Sequence, residues 1–88
     1  MSITEKIAQE RKEARERERI EAAYIEFDDL LDGAEPGSVW TFELNGLFEA
    51  LVMTDDEHWS ITYGPSRVAY EDAVSWLIRN HVDASDLS

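Results

Sequence analysis

With 88 residues, 43% of them hydrophobic, and three each of Trp, Tyr and Phe, the chain has the length of one domain and enough apolar material for one core, which separates it from disordered sequences. It has no Cys, which excludes a disulfide framework and thiolate metal sites and suits a reducing compartment. The net charge of −12 is uneven: residues 1–19 hold six of the eight Lys+Arg and five of the twenty Asp+Glu, about +1, leaving −13 on residues 20–88. Such a body repels nucleic acid and anionic membrane, and it attracts basic proteins.

The start, Met1-Ser2-Ile3-Thr4-Glu5-Lys6, has no apolar run of signal-peptide type, and no later run approaches a membrane span. A cytoplasmic location is expected. Ser2-Ile3-Thr4-Glu5 has the spacing of a capping box, and neither Pro nor Gly occurs from there to Leu31. The charged stretch from Gln9 to Arg19 consists of good helix formers. Lys12/Glu16, Glu13/Arg17 and Arg17/Glu21 place opposite charges four residues apart. An apolar stripe begins only at Ile20 and continues through Ala23, Tyr24, Phe27, Leu30 and Leu31. Residues 1–19 therefore read as a charged projecting helical arm, and residues 20–88 as a single compact acidic domain. Asp32-Gly33 ends the helix, and Glu35-Pro36-Gly37 is a turn.

Three β segments follow, Val39–Glu43, Leu47–Met53 and His58–Tyr63. A two-residue Asn45-Gly46 loop would set Phe42 opposite Glu49. A three-residue loop with a bulge at Gly46 would set Phe42 opposite Phe48 and Trp40 opposite Ala50. The second register sorts Trp40, Phe42, Phe48, Ala50 and Val52 onto one face and Thr41, Glu43 and Glu49 onto the other, and is preferred on that ground. Leu47, Leu51 and Met53 then lie on the less apolar face, with the Leu residues expected to be buried by the long helix. Thr54-Asp55-Asp56-Glu57 is the next turn, and Arg67-Val68 adds a short extended piece. A second amphipathic helix is predicted from Tyr70 to about His81, with Glu71 and Asp72 in its first turn and Arg79 and His81 in its last. Its buried stripe is Tyr70, Ala73, Val74, Leu77 and Ile78. Val82 to Ser88 reads as an acidic tail. The fold class is α+β: a long N-terminal helix, a three-stranded antiparallel β-meander and a C-terminal amphipathic helix.

The residues for chemistry are sparse. His58 and His81 sit in no nucleophile or zinc-protease motif. Asp55, Asp56, Glu57 and His58 form a local cluster without the alternation of a calcium loop. No phosphate-binding Gly cluster occurs. Accordingly no catalytic residue, no metal site and no cofactor is assigned, and enzymatic activity is not expected.

The expected function is that of a small acidic interaction protein, an inhibitor or adaptor binding a basic surface of a partner, in the extreme case as a mimic of nucleic acid toward a nucleic-acid-binding protein. Proteins of that kind, often encoded by phages and other mobile elements, resemble this chain only in size and charge. The candidate partner-binding residues are Glu21, Glu26, Asp28, Asp29, Asp32, Glu35, Asp55, Asp56, Glu57 and Trp76, with Asp83 and Asp86 as further acidic contacts. No direct binding to nucleic acid or membrane is expected. The alternative is an assembly protein, a virion or oligomer component, that self-associates through residues 1–19 with Ile3 and Ile7 as an apolar anchor. Its acidity would then reflect solubility or adaptation to high salt.

Overall fold

The computed structural model describes the backbone of residues 3–88 and the side chains of residues 10–88. Its elements, in order, are helix α1 (Ile3–Leu31), strands β1 (Val39–Leu44), β2 (Leu47–Met53) and β3 (Trp59–Ile61), and helix α2 (Tyr70–Arg79). The strands form an antiparallel meander in the order β1-β2-β3, so the fold is α+β. The capping box at Ser2 and the side chains of Ile3 and Ile7 lie outside the described residues.

At about 1.5 Å per residue, a 29-residue helix accounts for most of the 53 Å long axis of the molecule. Every described side chain of α1 before Ala23 is exposed. Contact with the body begins at Ala23 and Tyr24, both half-buried, and becomes complete at Phe27 and Leu31, 0% and 5% exposed. Ile20 and Leu30, at the margins of the expected stripe, are 38% and 39% exposed. The opposite charges at Lys12/Glu16, Glu13/Arg17 and Arg17/Glu21 do not close to within 4.0 Å, because long solvated side chains lose more entropy than an exposed pair returns. The helix stops where Gly33 takes φ +75°, the left-handed conformation open to glycine.

Glu35-Pro36-Gly37-Ser38 is a tight turn, closed by the Ser38 amide donating to the Glu35 carbonyl at 2.9 Å. The first hairpin departs from the expected register. Asn45 and Gly46 take φ +53° and +80°, a two-residue turn of the type whose twist matches the flanking strands. Leu44 pairs with Leu47, Phe42 with Glu49, and Trp40 with Leu51. One side of the sheet therefore carries Trp40, Phe42, Glu49, Leu51 and Met53, and the other Phe48, Ala50 and Val52. Phe42, Leu51 and Met53 are buried, while Phe48 is 78% and Leu47 60% exposed, so Leu47 escapes the burial expected of it. The register that sorted apolar from polar residues loses because the turn geometry sets the pairing, and a shift by one residue turns every side chain of a strand over. One consequence is that Glu49 lies among the buried residues, accepting a hydrogen bond from the Tyr63 amide at 3.3 Å. An unbonded carboxylate there would be costly.

Strand β3 is shorter than expected, but its edge is covered. Trp59 exchanges both backbone hydrogen bonds with Val68, at 2.8 and 2.9 Å, so the extended piece at Arg67-Val68 does form. Helix α2 buries Ala73, Val74 and Leu77. It ends at Arg79, leaving His81 just beyond it at φ +60°. The amide of Val82 donates to the Leu77 carbonyl and that of His81 to the Ile78 carbonyl, at 2.9 and 3.1 Å, which satisfies the last turn. The segment expected as an acidic tail instead docks. Val82 and Leu87 are buried, Ala84–Asp86 forms a 3-10 turn, and Ser88 exchanges two 2.9 Å backbone hydrogen bonds with Thr41 on the edge of β1. The charge of this segment hid its two apolar anchors.

The core thus joins Phe27 and Leu31 from α1, Phe42, Leu51, Met53, Trp59 and Ile61 from the sheet, and Ala73, Val74 and Leu77 from α2. Truncating Phe27 or Leu51 to Ala should cost about 3–5 and 2–5 kcal/mol respectively in urea unfolding. Phe48→Ala should stay within about 0.5 kcal/mol of the parent. A large loss at Phe48 would reinstate the bulged register.

Candidate functional site

The two helices are stitched together by phenolic hydroxyls. Tyr24, one turn before Phe27 on α1, hydrogen-bonds the hydroxyl of Ser75 on α2. One turn further along α1, Asp28 accepts a 2.6 Å hydrogen bond from the Tyr70 hydroxyl at the start of α2. The helices therefore run antiparallel, and the i,i+4 spacing of Tyr24 and Asp28 puts both bonds on the same face of α1. Tyr70 in turn packs against Trp59, with ring centroids 5.6 Å apart, and Trp59 stacks on Trp40 at 5.9 Å. This aromatic series ties the sheet to the helix pair.

The sequence-derived acidic residues fall in separate places. Asp28 lines a cleft with Tyr24, Tyr70, Glu71, Asp72 and Ser75. Asp28 and Asp32 also flank a shallower depression floored by Leu31, Met53, Trp59 and Tyr70. Glu26 and Asp29 lie on another side of α1, beside Ala84 and Ser85. Glu21 is exposed on α1 and Glu35 in the turn before β1. Asp83 and Asp86 cap the C-terminal 3-10 turn, with the Asp83 amide donating to Asp86 Oδ2 at 2.8 Å. Trp76 is half-buried and covers the core edge. Its ring lies 3.0 Å from where a Cβ on Gly64 would stand, so the glycine makes room for it. Glu71 and Asp72, expected only to suit the helix dipole, join Asp28 in the cleft. The sequence signal that could have found them was the pairing of an aromatic stripe on α1 with a Tyr and two acids opening α2.

The hairpin turn holds the other acidic group. Asp55 Oδ1 accepts from the Glu57 amide at 2.9 Å and from His58 Nδ1 at 2.8 Å, while Arg67 stands 3.7 Å from Oδ2. Asp56 and Glu57 are exposed beside it. Asp55 is thus a turn-forming residue as well as a surface charge. Among the described residues it is the one carboxylate with a cationic group, or a His ring nitrogen, within 4.0 Å. Among the described residues no three His, Asp or Glu converge in a manner that could hold a metal ion, and no helix is long and apolar enough to cross a membrane.

Neither a family model, nor a curated protein, nor a solved structure matches the chain.

Two titrations read this geometry. Burial, and then the hydrogen bond to the Asp28 carboxylate and its negative charge, push the Tyr70 phenol above its ordinary value of 10.0. A raised phenol favours the folded state fully below pH 10, and this contribution is lost as the pH climbs from there toward the folded value. An alkaline absorbance titration should show a late-ionising tyrosine that disappears in Tyr70→Phe and ionises earlier in Asp28→Asn. The Glu57 amide, and then His58, hold Asp55 below its ordinary 3.8. Its contribution is present above that value and fades as the pH falls through the depressed one. By carboxyl NMR its midpoint should lie below 3.8 and move upward in His58→Ala.

Proposed function

We propose that this chain is a non-enzymatic interaction protein, an inhibitor or adaptor whose acidic body binds a basic surface of a partner protein, such as one that otherwise holds nucleic acid. The supporting observation is the state of its carboxylates. Glu21, Glu26, Asp28 and Asp29 are exposed along the last three turns of α1 and Asp32 just beyond its end, and among the described residues no Lys or Arg lies within 4.0 Å of any of them. Like charges three and four apart, as at Glu26/Asp29 and Asp28/Asp32, repel by a few tenths of a kcal/mol per pair. A cationic partner converts that repulsion into attraction and speeds encounter. The Debye length of about 8 Å at physiological salt lets neighbouring carboxylates act together over a contact patch, while distant ones are screened.

The intact protein used as bait in its host lysate, at low and at high salt with mass-spectrometric readout, tests this reading. A basic partner should be recovered at low salt and lost at high salt, with affinity falling at least roughly tenfold between the two conditions. The quadruple variant Glu21→Gln, Glu26→Gln, Asp29→Asn, Asp32→Asn should weaken capture and flatten its salt dependence. Recovery of the protein itself alone, irrespective of salt, would replace this reading with self-assembly through residues 1–19.

A further inference from the structure

The face of the helix pair that carries the tyrosine bonds is an open groove with a polar gradient. At its more apolar end it is lined by Ile20, Tyr24, Asp72, Ser75, Ile78 and Arg79. At its other end it is lined by Asp28, Tyr70, Glu71 and Asp72. The two parts share Tyr24, Asp72 and Ser75 and so form one track. From Ile20 to Asp28 is two turns of α1, about 12 Å at 1.5 Å per residue. Ile20 is 38% exposed, and Ile78 and Tyr24 are half-buried, so apolar surface stays in contact with water along the floor. Ser75 sits mid-groove, and its small side chain admits a close approach to α2. A furrow between two antiparallel helices accepts the side-chain ridge of a third helix.

We propose that this groove is the docking site for a short amphipathic basic helix of a partner protein. Its apolar side rests on Ile20, Tyr24 and Ile78, and its Lys or Arg side chains meet Asp28, Glu71 and Asp72. Charge fixes both the occupant and its direction. Asp28 and Glu71 stand at one end with Asp72 between the two parts, none of them with a cation within 4.0 Å among the described residues, and Arg79 stands at the other end, so the most basic part of the incoming helix lies over Asp28, Glu71 and Asp72. The tyrosine rings add flat faces on which a guanidinium or ammonium can rest. This docking rests on the reading of the chain as a binder of basic surfaces, and it assigns that reading a place and a partner form.

The test titrates the full 15N-labelled chain with an 18-residue Lys/Leu peptide patterned as an amphipathic helix, and separately with the same composition scrambled. Amide shifts should centre on Ile20, Tyr24, Ser75 and Ile78 for the patterned peptide, with the scrambled one binding roughly tenfold more weakly. Asp28→Asn with Asp72→Asn should lower affinity roughly tenfold, and Asp56→Asn with Glu57→Gln should leave it unchanged. Ile20→Lys, at an exposed position that makes no hydrogen bond of the helix pair, should weaken binding as well, and its circular dichroism should match the parent. Equal affinity for both peptides, or shifts spread evenly over Asp55–Glu57 and Asp83–Asp86, would overturn the groove while leaving a basic-surface binder. Binding of neither peptide at low salt would overturn both.

Discussion

A two-residue turn at Asn45 and Gly46 decides which side chains of the sheet meet the helices. With both residues at positive φ, Leu44 pairs with Leu47 and the register runs without a bulge to Val39 and Val52. Phe42, Leu51 and Met53 are then on the same side, where Phe27, Leu31, Val74 and Leu77 cover them. Displacing the pairing by one residue would bury Phe48 and expose Leu51, and the helices would lose their floor. So small a domain has no second layer to absorb such an error.

On that floor the two helices are held by different forces. Apolar burial fixes their depth, through Phe27 against the sheet and Leu77 at 0% exposure. Hydroxyl bonds at Tyr24–Ser75 and Tyr70–Asp28 fix their direction and register relative to each other. Buried apolar contact is nearly indifferent to a small sliding motion, whereas hydrogen bonds are directional. The C-terminal segment closes the arrangement by burying Leu87 in the core and placing Ser88 on the edge of β1, which leaves less of that strand open to further pairing.

The surface follows a different rule from the core. The core uses Val, Leu, Ile and aromatic residues on one side of each element, and the outside carries the carboxylates beside a few exposed apolar residues such as Leu47 and Phe48. Among the described residues, Glu21, Glu26, Asp29 and Asp32 make no side-chain hydrogen bond. Asp28, Asp55 and Asp86 do, each at a place where backbone or hydroxyl donors would otherwise be left open. The acidic residues divide into a few that hold the structure and many that only charge it, and the second group supplies the field a basic partner would meet.

The element order, the span of α1 through Leu31, the stop at Gly33 and the core stripe Ala73, Val74 and Leu77 on α2 were legible in the sequence, because helix periodicity and glycine conformation are local properties. The inside face of the hairpin was not, since two registers satisfied the same letters and only the turn geometry separated them. The candidate site was legible as a charge and not as a place. Asp28 looked no different from Asp29 until α2 came alongside, and Glu71 and Asp72 became neighbours of Tyr24 only through packing between residues nearly fifty positions apart. The docking of Val82 and Leu87 was likewise hidden, because two apolar residues in an acidic segment carry no periodicity. Sequence by itself determined what is short-range, the helices, the turns and the excess of negative charge; the tertiary structure decided which faces meet, because burial is settled by partners distant along the chain.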